Sequence, residues 1–350
     1  MPPANVPAIL SRFGLENSET VLERVSHGYI NDTYRVTVLG SPVYILQKIN
    51  TSVFPQARQV MENLVLMLPF LQGPSYTALK LEHTLEGTPW LETESGEVWR
   101  LFRYIENSGT LESTDSLAVS REAGRILGCF HQLVCAAPVE KLLTPLPRFH
   151  DLSWRAQELE QAISRGVADR AEEAGTELDL SQDLIAFCRK IPILEFPIRI
   201  CHNDTKLSNF LFDLATEKGL CLIDLDTLMP GHLLYDFGDA ARTLVNPLPE
   251  SYPTRERVQV DLNMFEAYVR GWQESGFKIE GKEARWLPYG VVLMPTLHGI
   301  RALADHLLGD KHYRTAYPGQ NLVRAKNLLG FADKARGALA EMEGILSKIL

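Results

Sequence analysis

Side chains suited to phosphoryl transfer are concentrated in two short segments of the sequence. The first, His202–Asn209, reads HNDTKLSN and places Asp204 five residues before Asn209. The second puts Asp224 directly after a short apolar run, twenty residues beyond Asp204. Phosphoryl transfer needs a base for the acceptor hydroxyl and oxygen ligands that keep Mg²⁺ on the phosphates. We therefore predict that Asp204 is the base and that Asn209 and Asp224 hold the metal.

Two further residues of these segments have predicted roles. Lys206 lies two residues after Asp204, where its positive charge would offset charge that gathers on the transferred phosphate, so we assign it to the catalytic group. Asp226 either orients the loop or joins the metal, and the sequence leaves both readings open. The structural alternative for the whole segment, a polar turn with Asp204 or Asn209 as a helix cap, accounts poorly for four polar residue types in this order.

A third segment has the sequence of a known kinase motif, but its distance from Asp204 in the chain does not suit that motif. Asp236–Gly238 spells the DFG sequence of protein kinases, but it begins 32 residues after Asp204, too late for a metal position that Asp224 already fills. We interpret Asp236 as a structural anchor or cap for the helix that contains Ala240–Arg242. His131 is likewise interpreted as a structural histidine.

The length, charge and cysteine content of the chain exclude several classes of protein. The 350 residues carry a formal net charge of -9 and are 45% apolar, enough for a sizeable core but unsuited to nucleic acid or an anionic membrane. Five scattered cysteines without a CxxC pair argue against disulfides and a zinc site. No signal peptide or apolar run of membrane-spanning length is visible, so we expect a cytoplasmic protein.

The periodicity predicts an α+β protein with a β-rich lobe at 1–105 and a larger, mainly helical lobe at 106–350. Strands are expected near 21–25, 33–38, 43–46 and 97–105. A helix beginning near Pro55 should carry Val60, Leu64 and Leu68 on one face. The other predicted helices cover 115–134, 154–173, 258–275, 286–308 and 320–350.

The combined motifs resemble those of the aminoglycoside-phosphotransferase and choline-kinase superfamily, over about 24–329. Within it, the chain is most similar to the N-acetylhexosamine 1-kinase branch. The segments that carry the resemblance are 28–34, 44–50, 202–212, 223–231, 236–239 and 299–310. This resemblance implies a protein-kinase-like bilobal fold that binds ATP and Mg²⁺ between its lobes. It also implies the general base and the two metal ligands already assigned from the residues.

The resemblance also implies nucleotide contacts. The turn that contains Gly28, Asn31 and Thr33 would cover the phosphates, because glycine permits a close approach of the backbone. Backbone groups of Arg103, Tyr104 and Ile105 would meet the adenine.

The cation that contacts the phosphates is less well defined by sequence. Kinases pair a strand lysine with a helix glutamate, and Lys48 with Glu62 has a suitable spacing. Gln47 facing the phosphates and a surface role for Lys48 remain alternatives.

For the acceptor, the resemblance implies that Arg301 contacts a sugar, with Asp305 one helical turn away on the same face. An intrahelical ion pair on a solvated face is the alternative. Tyr29 and His312 stand where sugar kinases of this branch carry histidine and tyrosine, and we count both as acceptor-binding candidates.

The predicted function is transfer of the γ-phosphate of ATP to a sugar hydroxyl, the anomeric hydroxyl of an N-acetylhexosamine. Another alcohol, such as choline, homoserine, methylthioribose or an aminoglycoside, is the alternative within enzymes. A nucleotide-binding pseudokinase is the alternative outside them. The expected partner is a small molecule, not nucleic acid or a membrane, and the oligomeric state is left open.

Overall fold

The N-terminal lobe is built on one antiparallel sheet. The computed structural model describes residues 6–15, 20–25, 30–246, 248–249, 252, 257–279, 281–311 and 315–350. Five strands pair in the order β1-β2-β3-β5-β4. Their bounds are β1 Thr20–Arg24, β2 Asp32–Val38, β3 Ser41–Lys48, β4 Leu91–Glu92 and β5 Val98–Arg103.

One face of this sheet packs against a short helix, α1 (Val6–Arg12), which the sequence had not indicated. The alternation of strand side chains sends Tyr34, Val36, Leu46 and Trp99 into this core, where they meet apolar residues of α1. The other face is thereby left for polar residues that look toward the second lobe.

Helix α2 (Ala57–Met67) joins the two lobes. Its buried stripe includes Val60, Leu64 and Met67, and it belongs to the large core of the C-terminal lobe. Leu68, which was predicted on the same face, is the C-cap residue and only partly buried. The amphipathic pattern therefore located the helix, and its apolar stripe shows which lobe it packs on.

Short strands carry the chain between the lobes and frame the predicted site. A hinge strand, β6 (Ser108–Gly109), pairs with β8 (Phe210–Asp213), which pairs with β9 (Gly219–Leu222). A separate pair joins β7 (Arg199–Cys201) to β10 (Met229–Gly231). The predicted catalytic segment follows β7 and the predicted metal segment follows β9.

The rest of the second lobe is helical, which confirms the predicted α+β class with a small sheet lobe and a larger helical lobe. Helix α3 is capped at Ser116, whose hydroxyl accepts a hydrogen bond from the backbone N–H of Val119. Its close packing on α8 (Leu262–Glu274) depends on glycine, because a Cβ at Gly271 would lie 1.7 Å from the carbonyl oxygen of Arg121. The helices are α3 Leu117–Val134, α4 Leu152–Arg165, α5 Ala168–Glu173, α6 Gly175–Cys188, α7 Leu233–Leu244, α8 Leu262–Glu274, α9 Leu287–Leu307, α10 Gln320–Gly337 and α11 Leu339–Ile349.

Two predicted helices are each two helices in the structure. The first breaks at Gly166, where a Cβ would meet the carbonyl oxygens of Ala162 at 2.5 Å and Leu307 at 2.8 Å. The second breaks at Ala338 between α10 and α11. Helix α6 was not predicted, because its apolar residues do not form one strong stripe.

Helix α9 is the central element of the helical lobe. It is buried on nearly every side, and Pro295 lies within it. Its C-terminal half presents His298 and Arg301 to the cleft between the lobes. Within the ranges that the structure describes, no helix has the length and apolarity needed to cross a bilayer.

Candidate active site

The loop after β7 brings the predicted base and two of its predicted partners into contact. Asp204 Oδ2 lies 2.7 Å from Lys206 Nζ and accepts a hydrogen bond of 3.0 Å from Asn209 Nδ2. The same amide nitrogen also donates to the backbone carbonyl of Asp204 at 2.7 Å. Two side chains of one short loop therefore converge on one carboxylate, and Asn209 Oδ1 accepts no hydrogen bond from the described residues.

Asn203 gives the loop its shape. Its φ of 63° lies in the left-handed region, which asparagine tolerates better than most residues. Its Nδ2 donates to the carbonyl oxygens of Cys201, Thr227 and Met229 at 3.1 to 3.2 Å. These contacts join the catalytic loop to the segment that follows Asp224.

Asp236 is an anchor, but of the catalytic loop more than of its own helix. Its fully buried carboxylate accepts hydrogen bonds from the backbone N–H groups of His202 at 2.8 Å and Asn203 at 2.7 Å. His131 Nε2 lies 3.1 Å from the same carboxylate. The DFG-like sequence thus supplies a buried carboxylate that anchors the backbone of the catalytic loop.

His202 connects the catalytic loop to the metal segment. Its Nε2 lies 2.9 Å from the carbonyl oxygen of Ile223, while its Nδ1 accepts a hydrogen bond of 3.3 Å from the backbone N–H of Asp204. The first contact requires the proton on Nε2, which leaves Nδ1 as the acceptor. One imidazole therefore links the residue before Asp224 to the base itself.

Asp224 has the features of an uncompensated anion. It occupies the left-handed region at φ 60°, which aims it away from the strand that precedes it. Burial and the nearby Asp226 carboxylate raise the pKa of Asp224 to about 6. A divalent cation would relieve the repulsion between these two carboxylates, so the donor chemistry fits Mg²⁺. Among the described residues, no group of three or more His, Cys, Asp or Glu side chains is placed to hold a metal ion.

Asp226 binds two residues of the N-terminal lobe. Its buried carboxylate lies 2.5 Å from Arg100 Nη1 and accepts a hydrogen bond of 2.6 Å from Asn31 Nδ2. Arg100, on β5, is only 1% exposed and also donates from Nε to Gln47 at 3.0 Å. Of the two readings that the sequence left open for Asp226, these contacts favour the orienting one.

The predicted pair of Lys48 with Glu62 is wrong. Lys48 Nζ contacts Glu97 at 2.5 Å and lies over the Trp99 ring, whereas Glu62 is exposed on α2. The reason is the alternation of side chains along β3. It directs Lys48 to the face of Trp99, and its neighbour Gln47 to the face that looks toward the C-terminal lobe.

Two of the predicted phosphate-covering residues lie on that inner face. Thr33 Oγ1 accepts a hydrogen bond of 3.1 Å from Gln47 Nε2. Asn31 Nδ2 donates to Asp226, as described above, and Asn31 Oδ1 accepts a hydrogen bond from the backbone N–H of Asn50. Gly28, Tyr29 and His312, which complete the predicted contacts, lie outside the described residues.

The strand end proposed for adenine has one N–H without a protein partner in the described part of the chain. The backbone N–H of Arg103 donates to Lys80 and that of Tyr104 donates to Val43, each at 2.8 Å. The Arg103 side chain pairs with Glu82. Only the N–H of Ile105 is uncommitted among these three residues.

The second wall of the cleft comes from α9 and the segment before α4. Arg301 places its guanidinium over the Phe149 ring, 5.0 Å from the centroid, and His298 lies one turn earlier. Asp305 accepts hydrogen bonds from Asn321 Nδ2 and the backbone N–H of Lys311, both at 2.9 Å. The cleft that these residues line with Asp204 has a volume of about 1130 Å³.

Three residues of this site were missed from the sequence: Arg100, Phe149 and His298. Arg100 lies in an ordinary strand pattern, and only its position opposite Gln47 in the β3–β5 register could have suggested that it faces the cleft. Phe149 and His298 are about 150 residues apart, so no spacing in the sequence relates them. His298 is nevertheless three residues before Arg301, on the same helical face, which is a signal that could have found it.

Comparisons with known proteins identify the family and show the fold. The sequence pattern of the phosphotransferase enzyme family (APH) matches residues 21–276. An aminoglycoside phosphotransferase from Alicyclobacillus acidocaldarius subsp. acidocaldarius DSM 446 has a similar structure, with a TM-score of 0.66, 13% identity, and 99% of this chain and 98% of that chain covered. A microcompartment-associated aminopropanol kinase gives a TM-score of 0.63 at 19% identity, with 97% and 98% covered. A spectinomycin phosphotransferase, solved with ADP and spectinomycin, gives 0.65 at 11%, with 96% and 99% covered.

Proposed function

Since this chain belongs to the phosphotransferase enzyme family, we propose that it transfers the γ-phosphate of ATP to a hydroxyl of a neutral sugar. The proposed acceptor is the anomeric hydroxyl of an N-acetylhexosamine, and the product is the sugar 1-phosphate. The observation that carries this proposal is the convergence of Lys206 and Asn209 on Asp204, in a loop bonded to the strand end that carries Asp224.

Asp204 is suited to accept the proton of the acceptor hydroxyl. Burial opposes its charge, but the Lys206 ammonium outweighs burial and holds the pKa of Asp204 below its ordinary value. The carboxylate is therefore ionised at neutral pH. An anomeric hydroxyl is more acidic than an ordinary alcohol, so a weak base in a fixed position is sufficient. Lys206, held 2.7 Å away, would then offset charge on the transferred phosphate.

The nucleotide would lie between the sheet and the catalytic loop. Asn209 and Asp224 would hold Mg²⁺, which supplies charge neutralisation at the phosphates when bound. Thr33, Asn31 and Gln47 face this space from the sheet, and the free N–H of Ile105 would donate to the adenine. Lys48 is assigned no phosphate contact because Glu97 holds it elsewhere.

The charge of the cleft supports a neutral acceptor over a cationic one. Seven of the described lining residues are Lys or Arg and four are Asp or Glu, although the whole chain has a net charge of -9. Two of the four carboxylates are paired with cations, Asp204 with Lys206 and Glu158 with Arg155. An ammonium group would meet repulsion here, whereas hydroxyl and amide groups would find donors.

The division at 105, with a nucleotide-binding lobe before it and a catalytic and acceptor-binding lobe after it, is part of the same proposal. A cytoplasmic location is also inferred, because all five cysteines are free, and three of them, Cys188, Cys201 and Cys221, are buried.

A panel of acceptors with detection of ADP tests the proposal. The panel contains N-acetylglucosamine, N-acetylgalactosamine, glucose, choline, homoserine, methylthioribose, aminopropanol and an aminoglycoside. We expect the N-acetylhexosamines to give the highest kcat/KM. If they are inert while aminopropanol or choline is phosphorylated, the sugar proposal fails and the amino-alcohol kinases among the structural neighbours indicate the better candidate.

A further inference from the structure

One imidazole in the cleft is held in a fixed orientation by a buried carboxylate. His298 Nε2, on α9, lies 3.1 Å from Asp239 Oδ1, on α7. Asp239 is fully buried, whereas the His298 side chain keeps 15% of its surface exposed. His298 lines the same cleft as Asp204 and Arg301. The wall of the cleft that carries Phe149, His298 and Arg301, called the acceptor wall below, thus contains a His–carboxylate pair. The phosphoryl-transfer step described above does not use this pair.

The protonation of this pair follows from its surroundings. Burial opposes the charge of Asp239, but Arg242, whose Nε lies 2.6 Å from the same Oδ1, and His298 outweigh it and hold the pKa of Asp239 well below its usual range. Burial also lowers the pKa of His298. The carboxylate is therefore ionised and the imidazole neutral at pH 7. An ionised carboxylate only accepts hydrogen bonds, so the imidazole proton lies on Nε2 and Nδ1 carries the lone pair.

The Nδ1 atom of His298 remains accessible on a side chain that lines the cleft. No hydrogen bond to it is formed by any group in the described ranges, and it is not among the buried atoms that lack a partner. It therefore offers a fixed hydrogen-bond acceptor to whatever occupies the cleft. Arg301, one turn further along α9, offers donors only. His298 therefore accepts and Arg301 donates hydrogen bonds at neighbouring positions of the same wall.

We propose that His298, oriented by Asp239, binds the acceptor substrate by accepting a hydrogen bond at Nδ1 from a hydroxyl that is not phosphorylated. Together with Arg301 it selects a neutral polyol in which a donating hydroxyl stands beside an oxygen that accepts a hydrogen bond. This inference rests on the proposed function, since it assumes that the cleft holds an alcohol. The role is binding and orientation, because Asp204 already supplies the base.

The test compares His298→Gln with His298→Asn in steady-state kinetics. The Gln amide reaches the position of Nε2, so it keeps a donor for Asp239 but removes the acceptor in the cleft. The Asn carbonyl can stand at the position of Nδ1 and restores an acceptor there. His306→Gln is the matched control, because His306 lies on the same helix and is buried away from the cleft. Thermal melting is recorded for all three variants.

For His298→Gln we expect KM for the acceptor to rise about 10- to 100-fold, while KM for ATP stays within about two-fold. His298→Asn should recover part of that loss. His306→Gln should lower the melting temperature without changing either KM. A fall in melting temperature for His298→Gln with unchanged KM for the acceptor overturns the proposal and makes His298 a structural residue.

Deoxygenated acceptors identify the contact itself. Removing the hydroxyl bound by His298 should cost wild-type enzyme about ten-fold in kcat/KM and cost His298→Gln almost nothing, since the partner is already gone. Equal losses in both enzymes at every position of the acceptor contradict the contact. If the panel finds methylthioribose or an aminoglycoside as the substrate, the same variants are measured with that polyol, so the sugar proposal can fail while His298 stands. A substrate with a single hydroxyl, such as choline or aminopropanol, leaves no second hydroxyl for His298 and contradicts both proposals. Absence of turnover on every alcohol overturns both.

Discussion

The two walls of the cleft are assembled in different ways. The catalytic wall comes from one stretch of about 35 residues, in which His202, Asn203 and Asp236 hold Asp204 through backbone hydrogen bonds. The acceptor wall joins Phe149 to Arg301, and the adjacent His150 to His298, through side-chain contacts between residues far apart in the chain. The first wall is a local construction, and the second exists because α9 packs against α4, which begins directly after the segment that contains Phe149 and His150.

This difference has a functional consequence. A locally bonded loop keeps its geometry when the acceptor changes, because its anchors lie within the catalytic stretch. Among the described residues, the hydrogen bond that links it to the acceptor side of the cleft joins His150 to the carbonyl oxygen of Asn203. A wall of side chains can be altered without disturbing the base. Changes to the catalytic wall should therefore reduce kcat, and changes to the acceptor wall should change KM for the acceptor.

Asp204→Asn should have the largest effect. Loss of the base is expected to reduce kcat by about 10²- to 10⁴-fold, with the affinity for ATP nearly unchanged. Initial rates of ADP formation and nucleotide titration measure the two quantities. Turnover at the wild-type rate would show that Asp204 is not the proton acceptor. It would also contradict the expectation that changes to the catalytic wall reduce kcat.

Arg100→Met should destabilise the protein, because it removes the ion pair that links β5 of the N-terminal lobe to Asp226. It leaves the Asp226 carboxylate buried without its cation, and breaking such a pair costs about 3–5 kcal/mol. Denaturant titration measures the loss of stability, and the Mg²⁺ dependence of kcat shows whether the orientation of Asp224 is affected. The double variant with Asp226→Asn should recover part of the stability, because the unpaired charge is removed. No recovery would mean that Arg100 stabilises the fold by packing alone.

His150→Gln should make stability less sensitive to acid. Burial and the nearby His298 lower the pKa of His150 to about 3, from 6.5 in the unfolded chain. The folded state therefore binds fewer protons, and stability is lost as the pH falls from about 6.5 toward 3, by up to about 1.4 kcal/mol per pH unit. Denaturant midpoints at pH 7.5 and 5.0 should differ less in His150→Gln than in wild type. His83→Gln, at an exposed site, is the control and should retain the wild-type difference.

Lys48→Met should have the smallest effect. Lys48 and Glu97 are 29% and 24% exposed, and such partly exposed pairs contribute about 0.2–1 kcal/mol. We expect KM for ATP and kcat within about two-fold of wild type. A large rise in KM for ATP would show that Lys48 leaves Glu97 and reaches the phosphates when the nucleotide binds.

Lys48 and Arg100 differ in a feature that the sequence does not give, which is the face of the sheet on which each side chain lies. The spacing of Lys48 and Glu62 was compatible with a nucleotide-binding pair, but spacing does not tell which face of a strand looks into the cleft. The register of β3 with β5 decides that Gln47 and Arg100 share the inner face. Helix bounds failed for a similar reason, because close approach of Leu307 at Gly166 interrupts a helical pattern that the local sequence would continue.

The sequence by itself determined the α+β class, the order of the lobes and the segments that contain the candidate base and metal ligands. These follow from periodicity and from residues close together in the chain, whose geometry is set by local hydrogen bonds. Only the tertiary structure decided that Asp226 binds Arg100, that Asp236 holds the catalytic loop, and that His298 is paired with Asp239 in the cleft. Each of these contacts joins residues more than 30 positions apart, and a buried charge finds its partner according to packing, not according to sequence distance.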